Sequence, residues 1–277
     1  MTDPLQTIKN KINANTPLDH DEALWLLREA DLLTLGQLAD AIRARKHPQQ
    51  RVTFVIDRNV NYTNVCTSKC KFCAFYRNPD DADSYLLNYD TIMEKVQGLV
   101  EHGGTQLLMQ GGLHPELRIE WFEELFRQIR QRFPQVQIHS LSPAEVIHIA
   151  KQSGLSMAEC LGRLKTAGLA SVPGGGAEVL VDAVRLAISP NKIGTRDWLA
   201  VMEEAHRLNM STTATMMFGS SEAPQDIVEH LFVIRDLQEK TGGFTAFIPW
   251  TYQPGNTELG GETASGVAYL RVLALSR

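Results

Sequence analysis

Disulfides, membrane spans and an excess of positive charge are all missing from this chain. Only four cysteines occur in 277 residues, too few for a disulfide framework in a chain this long. No apolar run approaches the roughly 20 residues that a bilayer-spanning helix needs. The formal net charge is −5, which argues against a nucleic-acid binder held by phosphate contacts. No low-complexity tract or long-period repeat is present. The opening residues, MTDPLQTIKNKINANT, lack the apolar segment of a secretory signal. A reducing cytoplasm is the expected compartment, with neither nucleic acid nor membrane as a partner. What is there is ordinary for an enzyme: 43% hydrophobic and 21% charged residues.

The chain alternates between short apolar runs and amphipathic stretches. Leu24, Leu27, Leu35, Leu38, Ala39 and Ile42 recur at helical spacing, so residues 1–50 read as an N-terminal helical extension. The apolar runs follow at Thr53–Ile56, Thr105–Met109, Gln137–Leu141, Leu169–Val172, Thr212–Phe218 and Phe244–Ile248. Between them lie helical patterns at 90–102, 119–132, 143–151, 156–167, 177–188, 195–208 and 224–240. Repeated strand–helix units predict a parallel sheet, hence an α/β protein with a TIM-type (β/α) barrel over 51–277. A doubly wound open sheet is the rival. Only six strand runs can be counted, so the barrel is expected to be partial or cut short of eight strands. Polar or glycine-rich residues follow several strands: Gln110-Gly111-Gly112, Pro173–Gly176 and Gly219–Glu222. In a barrel these share the C-terminal face, where such folds place their chemistry.

The scarce cysteines are not scattered. Cys66, Cys70 and Cys73 stand in one loop, NVCTSKCKFCAFYR, after the first strand, while Cys160 lies in a helical pattern, MAECLGRL. Three thiolates at C-x3-C-x2-C spacing can hold three irons of a [4Fe–4S] cluster and leave the fourth iron open. A zinc site completed by a distant ligand is the alternative. Cys160 reads as a small buried hydrophobe. Phe72, just before the last cysteine, would shield a cluster.

The loop C-x3-C-x-Phe-C following the first strand of such a series resembles the radical S-adenosylmethionine (SAM) superfamily. That resemblance implies a [4Fe–4S] cluster on Cys66, Cys70 and Cys73, with SAM chelated to the open iron. It also places Gln110, Gly111 and Gly112 beside the methionine amino group and Glu178 on the ribose. Phe72, Met217 and Glu222 would lie along the adenosine. The segment TMMFGSSEAP departs from the superfamily's G-x-I-x-G-x-x-E pattern, since Thr215 replaces its first glycine. Glu178 also reads as a helix-start acid, and the glycine pair as a plain turn.

Further segments, including GGTQLLMQGGLHP, HSLSPAEVIHIA, PGGGAEVL and TGGFTAFIPWTYQPGNT, resemble the enzymes of the futalosine route to menaquinone. That family takes in the cyclic dehypoxanthine futalosine synthases, the aminofutalosine synthases and the deazaflavin synthase components. CAFYR and IPWTYQPGNT point to its cyclases, implying dehypoxanthine futalosine as substrate. An electron donor such as flavodoxin or ferredoxin is implied as partner. In the implied reaction a 5′-deoxyadenosyl radical takes the ribose C4′ hydrogen, and the carbon radical adds to the benzoate ring. The substrate-binding candidates are Arg77 beyond the cluster loop, His139, Ser140 and Ser142 at the end of the third strand, and Trp250 after the sixth. Ser142-Pro143 equally reads as a helix start. No residue is assigned as catalytic base.

Overall fold

The computed structural model describes residues 3–49 and 51–277. Six strands run in parallel in the order of the chain: β1 (Asp57–Asn61), β2 (Gln106–Gln110), β3 (Gln137–Ser140), β4 (Leu169–Val172), β5 (Ser211–Phe218) and β6 (Phe244–Thr251). A doubly wound sheet reverses its strand order part-way; sequential order with β1 and β6 at the two edges makes a half-barrel.

Helices cover the convex side. They are α4 (Tyr89–Glu101), α5 (Ile119–Arg132), α6 (Pro143–Gln152), α7 (Met157–Ala167), α8 (Asp182–Ile188), α9 (Thr195–Arg207) and α10 (Pro224–Thr241). Their apolar stripes, among them Ile92, Val96, Leu125, Phe126, Val146, Leu161 and Trp198, pack on Leu107, Met109, Ile138, Leu169 and Ala214 of the strands. Each such side chain contributes about 1.5–3 kcal/mol on burial. Side-chain caps set several starts: Asn88 caps α4, while Ser142 with Glu145 and Ser156 with Glu159 form capping boxes on α6 and α7.

Residues 3–49 supply α1 (Pro4–Asn13), α2 (His20–Arg28) and α3 (Leu32–Lys46). They are joined to the rest of the chain by packing. Ile8, Ile12, Leu26 and Leu35 form a small core with Leu275 of α11 (Gly266–Leu275). The Arg271 guanidinium donates to the carbonyls of Leu26 and Leu27 at the end of α2.

Two elements differ from expectation. The apolar run Thr53–Ile56 is not a strand, and Val52 and Phe54 are exposed; the first strand is the polar DRNVN that follows. Its only buried side chain is Val60, since the opposite face looks into the open half of the barrel. The helical pattern at 177–188 shortens to Asp182–Ile188. Glu178 takes a left-handed backbone, φ 42°, which a helix does not accommodate.

Candidate active site

Strand register sorts residues onto two faces. Val60, Met109 and Ser140 form one row, and Val60 and Met109 pack into the helix-side core. Asn59, Leu108, His139, Ser171 and Ser211 form the adjacent row, which therefore lines the concave side. Thr213, Thr215 and Met217 of β5 continue it, paired with Ala246, Ile248 and Trp250 of β6. A closed barrel core is filled by branched apolar side chains. Here the concave wall is rich in hydroxyls, amides and one imidazole, a surface suited to a polar ligand.

The cysteine loop lies over the C-terminal ends of β1 and β2. It folds back on itself through Cys66 N–H to Arg77 C=O (3.1 Å) and Arg77 N–H to Asn64 C=O (2.8 Å). Thr67 N–H is bonded to Leu113 C=O (3.1 Å) and Lys71 N–H to Ile188 C=O (2.9 Å), so neighbouring loops pin it from two sides. The Arg77 guanidinium braces the same loop, pairing with Asp83 at 2.7 and 2.8 Å. It also donates to the Tyr76 carbonyl at 2.9 Å, so these bonds stay within its own segment of chain.

All three loop cysteines are free thiols, and each sulfur has a hydrogen-bond partner. Leu113 N–H donates to Cys66 Sγ (3.3 Å), Phe75 N–H donates to Cys73 Sγ (3.4 Å), and Ser68 Oγ lies 3.2 Å from Cys70 Sγ. Thiols are weak acceptors and thiolates strong ones, so this donor set suits metal-bound sulfur. Burial pushes the Cys70 thiol up; a bound metal ion would hold it deprotonated. Among the described residues no three His, Cys, Asp or Glu side chains converge on a single-ion site. A four-iron cluster needs no such convergence, because each thiolate takes a separate iron. The residues present fit that cluster.

Cys160 is different. It is fully buried in α7 beside Val146, and burial pushes its thiol up to about 12. It belongs to the helix-side hydrophobic core, as its helical pattern predicts.

The glycine segments make close backbone approaches. A Cβ at Gly111 would lie 2.7 Å from the Tyr62 ring, and one at Gly112 would press on the Val65 carbonyl and, at 2.8 Å, on Cys66 Cβ. This packing holds the Gln110-Gly111-Gly112 turn directly behind the cysteine loop. A Cβ at Gly174 would meet Thr213 and Thr215 backbone at 2.7 Å, and Gly175 abuts the Gln110 amide.

Glu178 is buried, and its carboxylate lies 2.9 Å from Lys192 Nζ and 3.5 Å from Arg185 Nη1. Burial alone would depress the Lys192 ammonium, but the charges of Glu178 and Cys70 outweigh it and leave the pKa raised. Lys192 also stands 5.3 Å from the centre of the Phe72 ring. Phe72, Cys70, Lys192 and Glu178 thus share one neighbourhood. Met217 joins it by donating its N–H to Glu178 C=O at 3.0 Å. Lys69, Leu141 and Glu178, three non-glycine residues with left-handed backbone, lie in the loops after β1, β3 and β4. Strain of this kind gathers at functional sites.

The remaining candidates separate. His139 is on the concave face, with Nδ1 2.7 Å from Ser171 Oγ, and burial lowers its pKa to about 4, so the ring is neutral. Trp250 is also on that face and half exposed. Ser140 is fully buried on the helix side, donating to Met109 C=O. Ser142 is the α6 cap, bonded to Glu145 through both N–H and Oγ. Glu222 accepts the N–H groups of Gly219, Ser220 and Ser221 and so shapes its own loop. Lys192, Arg185, Tyr62 and Glu145 went unnoticed in the sequence. Only Glu145 carried a local signal there, the Ser-x-x-Glu spacing of a capping box.

The family model described as the radical SAM superfamily matches residues 60–234, a span that holds all three loop cysteines and Glu178. The chain belongs to the radical SAM superfamily. Its members use a [4Fe–4S] cluster and SAM, so this radical SAM enzyme is not the zinc scaffold that three thiols alone would allow. It is 45% identical over 277 residues to a cyclic dehypoxanthine futalosine synthase of Streptomyces coelicolor, covering 99% of this chain and 69% of that one. It is 41% identical over 268 residues to a 5-amino-6-(D-ribitylamino)uracil–L-tyrosine 4-hydroxyphenyl transferase of Methanothermobacter thermautotrophicus, covering 94% and 73%. Among solved structures, the [FeFe]-hydrogenase maturase HydG of Carboxydothermus hydrogenoformans superposes with a TM-score of 0.77 at 16% identity. That match covers 98% of this chain but 62% of the maturase, and it speaks for the shared half-barrel alone.

Proposed function

We propose that this radical SAM enzyme cyclises dehypoxanthine futalosine in menaquinone biosynthesis. The observation that carries the proposal is 45% identity to a cyclic dehypoxanthine futalosine synthase along 99% of the chain. A second such synthase, from Halalkalibacterium halodurans, is 42% identical along 94% of the chain.

When bound, the cluster and SAM supply a 5′-deoxyadenosyl radical able to remove an unactivated hydrogen. Cys66, Cys70 and Cys73 would hold the cluster, with Phe72 against it. Gln110, Gly111 and Gly112 would face the methionine end of SAM, and Glu178 its ribose. Lys192, the raised-pKa ammonium beside Glu178, suits the methionine carboxylate. The half-exposed Trp250 and the neutral His139–Ser171 pair offer an aromatic wall and hydrogen bonds for a benzoate and a sugar. A neutral imidazole can donate or accept there. Radical chemistry needs a rigid site that excludes competing partners. The braced loop and buried Glu178–Lys192–Arg185 cluster provide such rigidity. Among the described residues no helix is long and apolar enough to cross a membrane. The proposed compartment is the cytoplasm, with flavodoxin or ferredoxin as the proposed electron donor.

A second reading has its own support: 41% identity to the uracil–tyrosine hydroxyphenyl transferase. Anaerobic reconstitution with iron and sulfide, followed by parallel assays, separates the two. The cyclase reading expects turnover of dehypoxanthine futalosine and none of 5-amino-6-(D-ribitylamino)uracil with L-tyrosine; the reverse pattern overturns it.

A further inference from the structure

A buried carboxylate stands behind the glycine pair. Glu145, in the first turn of α6, is only 2% exposed, and it collects donors from the ends of three strands. Tyr62, just past β1, donates its hydroxyl to Oε1 at 2.9 Å. Gly111, just past β2, donates its N–H to the same oxygen at 2.9 Å. Ser142, just past β3, donates both N–H and Oγ–H to Oε2 at 2.7 Å.

A capping box accounts for only the Ser142 half of this arrangement. The Tyr62 and Gly111 bonds lie outside it and run 83 and 34 residues away in the chain. All four donor groups are uncharged and together they fill the four lone-pair positions of the carboxyl oxygens; burial pushes this carboxyl up, and the bonds from Ser142, Gly111 and Tyr62 oppose that shift.

The bond to Gly111 fixes a peptide plane. In a trans peptide the C=O points opposite to the N–H. Holding the Gly111 N–H against Glu145 therefore turns the Gln110 carbonyl the other way. Gly112 is held in the same sense, donating its N–H to Thr63 C=O at 3.0 Å. Cys66 and Val65 of the cysteine loop pack against Gly112 from the front. Tyr62 supports the turn twice, through its hydroxyl on Glu145 and through its ring beneath Gly111.

We infer that Glu145 is a positioning residue for SAM. From behind, it locks the Gln110–Gly111 peptide in the orientation that presents the Gln110 carbonyl to a ligand ammonium, beside the Gly111 carbonyl that the Gly112–Thr63 bond orients, and Tyr62 and Ser142 hold Glu145 in place. The inference rests on the superfamily assignment and is independent of which substrate is cyclised.

Glu145→Gln tests it, because glutamine keeps the size but turns an NH2 toward one pair of donors. Three quantities are measured: iron per chain, SAM dissociation constant on the cluster-loaded protein, and hydrogen exchange of residues 109–114 without cofactor. The expected result is retained iron, SAM binding weakened tenfold or more, and faster exchange at Gly111. The KM for SAM should rise more than kcat falls. Tyr62→Phe, which removes one of the four bonds, should weaken SAM by about threefold. A core variant remote from the turn, Leu164→Ala, serves as the control for lost stability and should leave SAM affinity unchanged. If Glu145→Gln fails to fold or to take up iron, Tyr62→Phe and Ser142→Ala decide the matter by the same readouts. Unchanged SAM affinity and unchanged Gly111 exchange in the folded variants would overturn the inference. So would a loss of SAM affinity no greater than that of Leu164→Ala.

Discussion

Cys66, Cys70 and Cys73 each have a hydrogen-bond partner at sulfur within a loop pinned from two sides, whereas Cys160 is packed in the helix-side core. Replacing any one of the first three by alanine should abolish the reconstituted iron and its paramagnetic signal. Cys160→Ala should keep both; loss of the cluster there would refute the three-ligand account. At Glu178 two effects combine. Glu178→Gln leaves Arg185 and Lys192 facing a neutral amide, and breaking a buried pair costs about 3–5 kcal/mol. It also weakens any ribose hydrogen bond, for a roughly ten- to hundredfold loss of SAM affinity on the loaded cluster. Calorimetric titration with SAM would separate this from the loss of stability, and unchanged affinity would return Glu178 to a purely structural role. Burial lowers His139 to about 4 and, with the Arg185 charge, His230 to about 3. The unfolded chain binds those protons near 6.5 and the folded chain only below 4. Stability should therefore be full above pH 7 and fall as pH drops from 6.5 toward 4, by up to about 1.4 kcal/mol per unit for each ring. Urea midpoints at pH 7, 6 and 5 would show this, and His139→Asn should flatten the slope. The thiol loop was legible in the sequence because its chemistry is local. Lys192 was not, because it reaches Glu178 only through the α8 turn that follows β4.

At the level of elements, legibility followed the source of the signal. Helices that bury one stripe announced themselves by period, and five strands did so by apolar runs. β1 did not, since DRNVN presents polar side chains to an open concave wall. Alternate polar residues also recur in β3 and β5, as His139 and then Thr213 and Thr215, and together they could have marked the ligand face. Strand-end position alone could not separate Ser140 and Ser142 from His139; it takes register to place Ser140 on the helix side and a cap to occupy Ser142. The N-terminal helices share a small core with α11. Leu35→Ala should therefore lower the stability of the molecule by about 2–5 kcal/mol in a single cooperative transition. A separate early transition, with the barrel unaffected, would instead make residues 3–49 an autonomous unit.

For the whole molecule, the half-barrel brings together what the sequence scatters. Loops after β1, β2 and β4 converge on one end, and the concave wall leads away from it between β1 and β6. On the proposed reading, the cluster and SAM would sit at that end and the substrate below them, along the concave wall. The choice of dehypoxanthine futalosine is the central claim, and one isotope experiment tests it most directly. The reconstituted protein, with SAM and a reductant, is given substrate carrying deuterium at ribose C4′, and the 5′-deoxyadenosine released is examined by mass spectrometry. The account predicts deuterium in 5′-deoxyadenosine together with the cyclic product. Turnover that leaves the deuterium at C4′, or that joins the adenosyl group covalently to the product, would contradict it.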